Sequence, residues 1–340
     1  PYAVRATLTN MPPVKRFTNM MLRDLGIPKE VMGLLTYPTR FDNRETERAL
    51  KGSGIKVPAL DDYAWRLWDY WERHLDPALF VDHSLKGKVK GKVVMITGGS
   101  SGIGKATALK VAAAGAVTLI VARGEEELFA TRDEIIAAGG NCHAYTGDLA
   151  DMASCDALVE KVVAEHGGVD VLVNNAGRSI RRSIELSYDR FHDFERTMHL
   201  NYFGSLRLIM GVLPKMTERR RGHIINISSI GVLANSPRFS AYVASKAALD
   251  AFSRCAQGEL SSKGIVFTTI NMPLVKTPMI APTKMYDSVP TLSPDEAADL
   301  VVKAIIERPS RIATRLGIFA GVINALAPKA YELIMNTAFE

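Results

Sequence analysis

The run Tyr242-Val243-Ala244-Ser245-Lys246 holds two side chains that can move a proton, at a spacing that brings them together. Positions i and i+4 stack on one face of an α-helix, so the phenol and the ammonium become neighbours. A phenol of ordinary pKa, roughly 10, is a poor acid or base at neutral pH, and a lysine ammonium within reach favours the phenolate and lowers that pKa. The pair can therefore give a proton to an oxygen that is gaining negative charge. Tyr-x-x-x-Lys also recurs by chance, so its meaning depends on what else the chain brings to it.

A second chemical feature is Thr97-Gly98-Gly99-Ser100-Ser101-Gly102-Ile103-Gly104, between an apolar strand pattern and a helix pattern. Glycines at Gly98, Gly102 and Gly104 keep Cβ atoms out of a tight turn and let a pyrophosphate approach the amides at the start of a helix. The next strand pattern ends Val121-Ala122-Arg123, about 20 residues on, where NAD-selecting proteins place a carboxylate on the ribose 2′-hydroxyl. That carboxylate is missing. Ala122 removes the repulsion a 2′-phosphate would meet and Arg123 offers it a planar fork, so NADPH/NADP+ is the expected cofactor.

Elements that could position these groups follow from periodicity. Strands are expected at 93–96, 118–121, 141–145, 169–173, 223–227 and 266–270, and helices at 103–113, 125–138 and 240–261. The alternation predicts a doubly wound parallel sheet, an α/β Rossmann fold, with ligands beyond the carboxyl ends of its strands. Residues 1–88 lack this rhythm and read as a helical N-terminal extension or interdomain segment before a nucleotide-binding domain over 89–340. Trp65, Trp68 and Trp71 share one helical face there, an arrangement that suits packing against the main domain or a neighbour better than ligand stacking. The lysine-rich stretch 86–92 reads as a linker. The apolar tail 316–335 reads first as a core or dimer helix, with a homo-oligomer expected, and otherwise as a substrate lid or a membrane-surface helix.

Taken in order over 92–277, the motifs resemble the short-chain dehydrogenase/reductase family. The glycine turn has the form TGxxxGIG, which brings Ser100, Ser101 and Ile103 to the cofactor with the glycines. The resemblance implies that Asp148 and Leu149 contact adenine, and that Asn174-Asn175-Ala176-Gly177 is the family's NNAG run, in which Asn175 braces the sheet and Ala176 and Gly177 approach the cofactor. It further implies that Ser229, thirteen positions before Tyr242, holds the substrate carbonyl, with Ser228 as the adjacent alternative. Tyr242 would protonate, Lys246 would also bind the nicotinamide ribose, and Asn201 would hold a water linking Lys246 to solvent. A buried asparagine satisfying backbone groups would look the same as Asn201 in sequence. The family usually has Pro-Gly-x-Val-x-Thr after the sixth strand; this chain has Pro273-Leu274-Val275-Lys276-Thr277, one residue shorter, which puts the implied nicotinamide contacts of Pro273, Val275 and Thr277 on an altered turn.

The version of this run over 271–284 resembles that of bacterial fatty acyl-CoA reductases, whose two-domain, alcohol-forming members also carry segments like 35–42. This implies the aldehyde-reducing, C-terminal half of such a protein, with a mobile substrate lid over 279–292 and an N-terminal acyl-CoA reductase domain as its partner. The first residue, Pro1 rather than Met, fits a chain cut from a longer one and fits processing or missing numbering equally.

Bulk properties exclude several other classes. Of 340 residues, 47% are apolar and 23% charged, a globular balance, and a net charge of +6 is too modest to suggest nucleic-acid binding. Cys142, Cys155 and Cys255 stand at unrelated spacings that give neither a disulfide framework nor a metal site, in keeping with a reducing cytoplasm and no metal. Cys142 and His143 would point to opposite strand faces, Arg219-Arg220-Arg221 would sit at a helix end, and Arg181-Arg182 could meet a phosphate or solvent. No apolar stretch reaches membrane-spanning length and no secretory signal is present, though contact with a membrane surface stays open. The expected activity is NADPH-dependent reduction of a long-chain fatty aldehyde. Another carbonyl, such as a 3-oxoacyl thioester, a hydroxysteroid or the acyl-CoA itself, would meet the same residues. A cofactor-binding scaffold without turnover would dispense with Tyr242 or Lys246, and both are present.

Overall fold

The computed structural model describes residues 42–56, 58–280 and 290–337, apart from the side chains of Pro77 and Ala78. Positions 35–41 of the interdomain-like segment and 281–289 of the expected lid lie outside the described residues. Contacts divide the chain into two units, Pro1–Val81 and Asp82–Glu340. Within the first unit, α1 (Arg44–Leu50) and α2 (Leu60–His74) contain no buried residue. The tryptophans of α2 share a face as their spacing of three requires: Trp68 and Trp71 lie 5.5 Å apart between ring centroids, and the Arg66 guanidinium stands 5.2 Å over Trp65.

The second unit begins with α3 (Leu85–Val89), where a linker was expected. Ser84 caps it by accepting from the Gly87 N–H, and Val89 is fully buried, so this lysine-rich stretch is anchored to the core at its far end. Seven strands follow: β1 (Val93–Thr97), β2 (Val117–Ala122), β3 (Asn141–Thr146), β4 (Val171–Asn174), β5 (Gly222–Ser229), β6 (Ile265–Met272) and β7 (Arg311–Ala313). All pair in parallel, in the order β3-β2-β1-β4-β5-β6-β7. Runs such as Val93-Val94-Met95-Ile96 are apolar on both strand faces because helices cover both sides of a parallel sheet.

On one side α4 (Gly102–Ala113), α5 (Glu125–Ala137) and α11 (Pro294–Glu307) bury Val111, Leu128, Ile135, Val301 and Ile305 against Ile96, Ile120, Val173 and Ile270. On the other, α6 (Met152–His166), α8 (Ser205–Glu218) and α10 (Ser240–Leu260) bury Leu158, Val162, Leu208, Val212 and Leu249 against Met95, Leu119, Leu172 and Phe267. The remaining α-helices of this unit among the described residues are α7 (Phe191–Met198), α9 (Ile230–Ala234), α12 (Arg315–Leu326) and α13 (Pro328–Thr337). Six strands fall where periodicity puts them, with ends shifted by one or two residues. The three-residue β7 was not foreseen, since it is too short to show a period. Strand order reverses between β1 and β4, which opens a crevice at their carboxyl ends.

Candidate active site

Two loops meet at that crevice. After β1 the backbone turns through Gly98 (φ 67°) and Gly102 (φ 53°), conformations that a side chain disfavours. A Cβ on Gly104 would overlap the Gly98 carbonyl oxygen and come within 2.7 Å of Asn175 Nδ2. The Gly98 and Gly99 N–H groups donate to the Val121 carbonyl at 2.7 and 3.2 Å. After β4, Asn175 Nδ2 donates to the Thr97 carbonyl at 2.9 Å and the Asn175 and Ala176 N–H groups both donate to Thr97 Oγ1 at 2.9 Å. The two loops are thus laced into one floor. Ser101 stands at the N-cap of α4 without a side-chain capping bond, so the first amides of this helix face outward uncapped, a cradle that fits a pyrophosphate.

Above this floor lies a cavity of about 690 Å³. Its wall includes Gly98, Ser101, Gly102 and Ile103 from the turn, Asn175, Ala176 and Gly177 from the second loop, Ser228 and Ser229 from β5, Tyr242 and Lys246 from α10, and Pro273, Val275 and Thr277 after β6. Apolar residues Ile230, Phe239, Val243, Met279 and Ile280 complete it. Lys246 is 4% exposed and its Nζ donates to the Ile227 carbonyl at 2.7 Å. Burial without a carboxylate partner pushes its pKa down to about 8. Tyr242, one turn earlier, is half-buried. Ser229 Oγ accepts from the Gly231 N–H at 3.1 Å as the cap of α9, which leaves its own O–H available to donate. Ser228 is buried, with its hydroxyl unbonded among the described residues.

Asn201 is fully buried on a π-helical turn, His199–Gly204, that joins α7 to α8. Its Oδ1 accepts from the Arg178 N–H at 2.8 Å, and its Nδ2 donates to the Arg178 carbonyl and to Ser245 Oγ, both at 2.9 Å. The side chain therefore ties the loop after Gly177 to the Tyr242–Lys246 helix. A Cβ on Gly177 would sit 3.2 Å from Asn201 Oδ1 and 3.3 Å from Lys246 Nζ, so glycine keeps the space between them open.

Ser100, Gly104, Arg123, Asp148, Leu149 and Asn201 do not line the cavity. Leu149 buries its side chain in the core, which leaves only its backbone for a ligand. Arg123 is exposed, and Asp148 Oδ1 accepts from the Ala150 N–H at 3.0 Å. Two residues escaped the reading of motifs. Arg178 carries a guanidinium whose pKa burial and the cations Arg196 and Arg123 lower. Asn271 donates to the Ser229 carbonyl at 3.1 Å and accepts from Arg311 Nη1 at 3.0 Å, while Arg311 Nη2 holds Asp250 at 2.9 Å. The available signal for Asn271 was a polar residue at the end of an apolar strand.

The shortened turn after β6 still brings Thr277 to the glycine turn, its Cγ2 lying 3.2 Å from where a Gly102 Cβ would stand. Lys276 N–H donates to the Leu292 carbonyl at 2.8 Å and Leu292 N–H to the Leu274 carbonyl at 2.9 Å, so Leu292 pairs with the turn that follows β6. Arg219, Arg220 and Arg221 are spent on Gly167, Ser262 and Asp170. Arg181 reaches the cavity wall, whereas Arg182 Nε lies 3.3 Å from Asp193. Cys142 is buried and His143 exposed, and no cluster of three metal-ligating side chains occurs among the described residues.

The sequence profile of the short chain dehydrogenases matches residues 92–286. A fatty acyl-CoA reductase of Acinetobacter baylyi is 58% identical over 251 residues, 74% of this chain and 85% of that protein. A fatty acyl-CoA reductase of Mycobacterium tuberculosis is 48% identical over 72% of this chain and 84% of its own length. Among solved structures, a metagenomic short-chain oxidoreductase in complex with NADP is 30% identical with a TM-score of 0.58, covering 67% of this chain and 98% of that one.

Proposed function

The chain belongs to the short-chain dehydrogenase family, and from that premise we propose that it reduces a long-chain fatty aldehyde to the alcohol with NADPH as hydride donor. The observation that carries this reading is the convergence of the Tyr242–Lys246 pair, the Ser229 hydroxyl and the glycine cradle on one apolar-walled cavity. The names of the two reductases support a fatty acyl substrate class, and the walls of Ile230, Phe239, Val243, Met279 and Ile280 suit an alkyl chain.

In this reading Gly98, Ser100, Ser101, Gly102, Ile103 and Gly104 hold the pyrophosphate, Arg123 the 2′-phosphate, and Asp148 and Leu149 the adenine. Asn175, Ala176 and Gly177 support the adenosine half, while Pro273, Val275 and Thr277 orient the nicotinamide, whose ribose Lys246 holds. When bound, the reduced nicotinamide supplies a hydride to the carbonyl carbon. Ser229 donates its O–H to the carbonyl oxygen and fixes its position. Tyr242 gives its phenolic proton to that oxygen as negative charge develops there. Lys246, as the ammonium, stabilises the tyrosinate left behind. Asn201 keeps the Arg178 loop and α10 in register and can hold a water towards Lys246 through the lone pair that Oδ1 retains.

The same reading makes 1–88 an interdomain segment and 89–340 the reductase domain, and gives reduction of the thioester to a separate acyl-CoA reductase domain. A panel of aldehydes of rising chain length, with a 3-oxoacyl thioester and an oxosteroid, the carbonyl form of a hydroxysteroid, beside them, tests it by NADPH absorbance. The expected result is a kcat/KM that rises with alkyl length. Faster turnover of the thioester or steroid would overturn the substrate class.

A further inference from the structure

α12 presents an apolar half-cylinder. On a helix of about 100° per residue, Leu316, Ile318, Phe319, Val322 and Leu326 fall within one half, and each is between 47% and 81% exposed. The opposite side is spent on α9, where Gly317 meets Ile230 and Leu233 and Tyr331 of α13 donates to the Ala234 carbonyl. α13 adds Leu333 and Ile334, 69% and 56% exposed. α9 follows Ser229 directly, and its Ile230 and Gly231 line the cavity.

A second apolar surface stands on the loop after β4. Ser179 and Arg181 line the cavity, and just beyond them Ile184, Leu186, Tyr188 and Phe191 are 55%, 66%, 80% and 71% exposed. The Arg182 N–H donates to the Arg238 carbonyl at 2.7 Å, which ties this loop to the far end of the same 230–239 wall that α12 backs. Basic side chains accompany the helices, where Arg315 and Lys329 are exposed beside one acid, Glu332; the loop instead carries the exposed acids Glu185 and Asp189, and its Arg196 pairs with Asp193. Both apolar surfaces are joined to one cavity wall, and exposed apolar patches of this kind mark docking sites.

We propose that α12, α13 and the 184–191 loop dock on a lipid bilayer bearing anionic headgroups. A fluid interface can wet two separate apolar surfaces at once, whereas a second copy of the chain would have to match both in one fixed arrangement. Apolar and aromatic residues with basic neighbours are the composition of an interfacial helix, and the net charge of +6 complements anionic lipid. α12 lies in the interface rather than across it, since no described helix is long and apolar enough to span a membrane. The use of such docking, delivery of a bilayer-dissolved aldehyde to the cavity, rests on the proposed activity; the docking itself does not.

Co-sedimentation with vesicles of phosphatidylcholine, alone or mixed with phosphatidylglycerol, reads it without turnover. The whole chain is expected to pellet with mixed vesicles and less with phosphatidylcholine alone. Two double variants, L316S/F319S and Y188S/F191S, are each expected to cut the bound fraction about tenfold or more, because each removes two apolar side chains from the interface. R315E/K329E is expected to lose the preference for anionic vesicles. All three should keep wild-type turnover of a short, soluble aldehyde, which also shows that they fold. Failure of the parent chain to pellet, or equal pelleting by the serine variants, would overturn the proposal. So would light scattering in which the serine substitutions split an oligomer of a chain that ignores vesicles.

Discussion

The ammonium of Lys246 donates to the carbonyl oxygen of Ile227 at 2.7 Å from a position 4% exposed, with α10 and β5 closed around it. A cation held by a neutral acceptor is expensive to bury, which is why its pKa falls to about 8 from 10.5. That fall corresponds to roughly 3 kcal/mol against folding.

Replacing Lys246 with Met should therefore remove activity without a matching loss of stability. The folded pKa lies below the unfolded one, so the burial penalty is complete below pH 8 and is relieved as pH rises towards 10.5. At pH 7 the variant should melt no lower than the parent, although the Ile227 carbonyl loses its donor. The difference between the two melting curves should shift in the parent's favour between pH 8 and 10.5. Scanning calorimetry across that range checks it; a variant that melts many degrees lower at pH 7 would show that the lysine contributes net stability.

Asn271 is a positioning residue for Ser229. Asn271→Leu deprives the Ser229 carbonyl of its donor and strands an Arg311 N–H, a loss of about 1–3 kcal/mol in stability. With Ser229 less firmly held, kcat for an aldehyde should fall about tenfold while the Kd for NADPH, read by fluorescence, stays unchanged. A purely structural role would lower the yield of folded protein and leave kcat per folded molecule alone.

Arg123 tests cofactor choice. Arg123→Asp places a carboxylate where the 2′-phosphate is expected and removes a charge-assisted partner for it. NADPH should lose about tenfold or more in kcat/KM, and NADH should gain relative to it. Equal losses with both cofactors would show that Arg123 does not read the 2′-phosphate.

His223 sets an acid limit. Its imidazole is buried in β5, close to Thr268 Oγ1 at 2.9 Å, and burial pushes its pKa down to about 3. Thr268 Oγ1 donates to the Pro309 carbonyl, so it accepts from the His223 Nε2–H and fixes the neutral tautomer. The unfolded chain takes up this proton near pH 6.5 and the folded one near pH 3, so stability should fall steadily as pH drops through that window. His223→Gln, which can keep the bond to Thr268, should flatten urea midpoints between pH 6.5 and 4. An unchanged slope would assign the acid sensitivity to other groups.

Much of the site is legible in the amino-acid sequence. The pairing of Tyr242 with Lys246 follows from helix geometry, and the glycine turn from the sterics of a strand entering a helix beside phosphate. What escaped was set by tertiary context. The π-helical turn at Asn201 has no sequence signal, and only the fold shows its amide bonded to Arg178 and Ser245. β7 is three residues long, and its side chains matter because Arg311 reaches Asn271 on the neighbouring β6 and Asp250 on α10. The lysines of 86–92 suggest solvent, yet Val89 among them is buried and makes that stretch a helix.

The central claim is that this chain's site delivers a hydride and the Tyr242 proton to a free long-chain aldehyde. Converting an acyl-CoA to an alcohol takes two hydrides, and the described cavity holds one glycine cradle and one tyrosine–lysine pair. The direct measurement is NADPH consumption with decanal and with a long-chain acyl-CoA in parallel, products followed by gas chromatography, for the parent and for Tyr242→Phe. Decanol from decanal is expected, with essentially nothing from the thioester and a loss of roughly 10²–10⁴-fold in the variant with NADPH binding intact. Alcohol formed from the acyl-CoA at a comparable rate, or decanal reduced undiminished without the phenol, would contradict it.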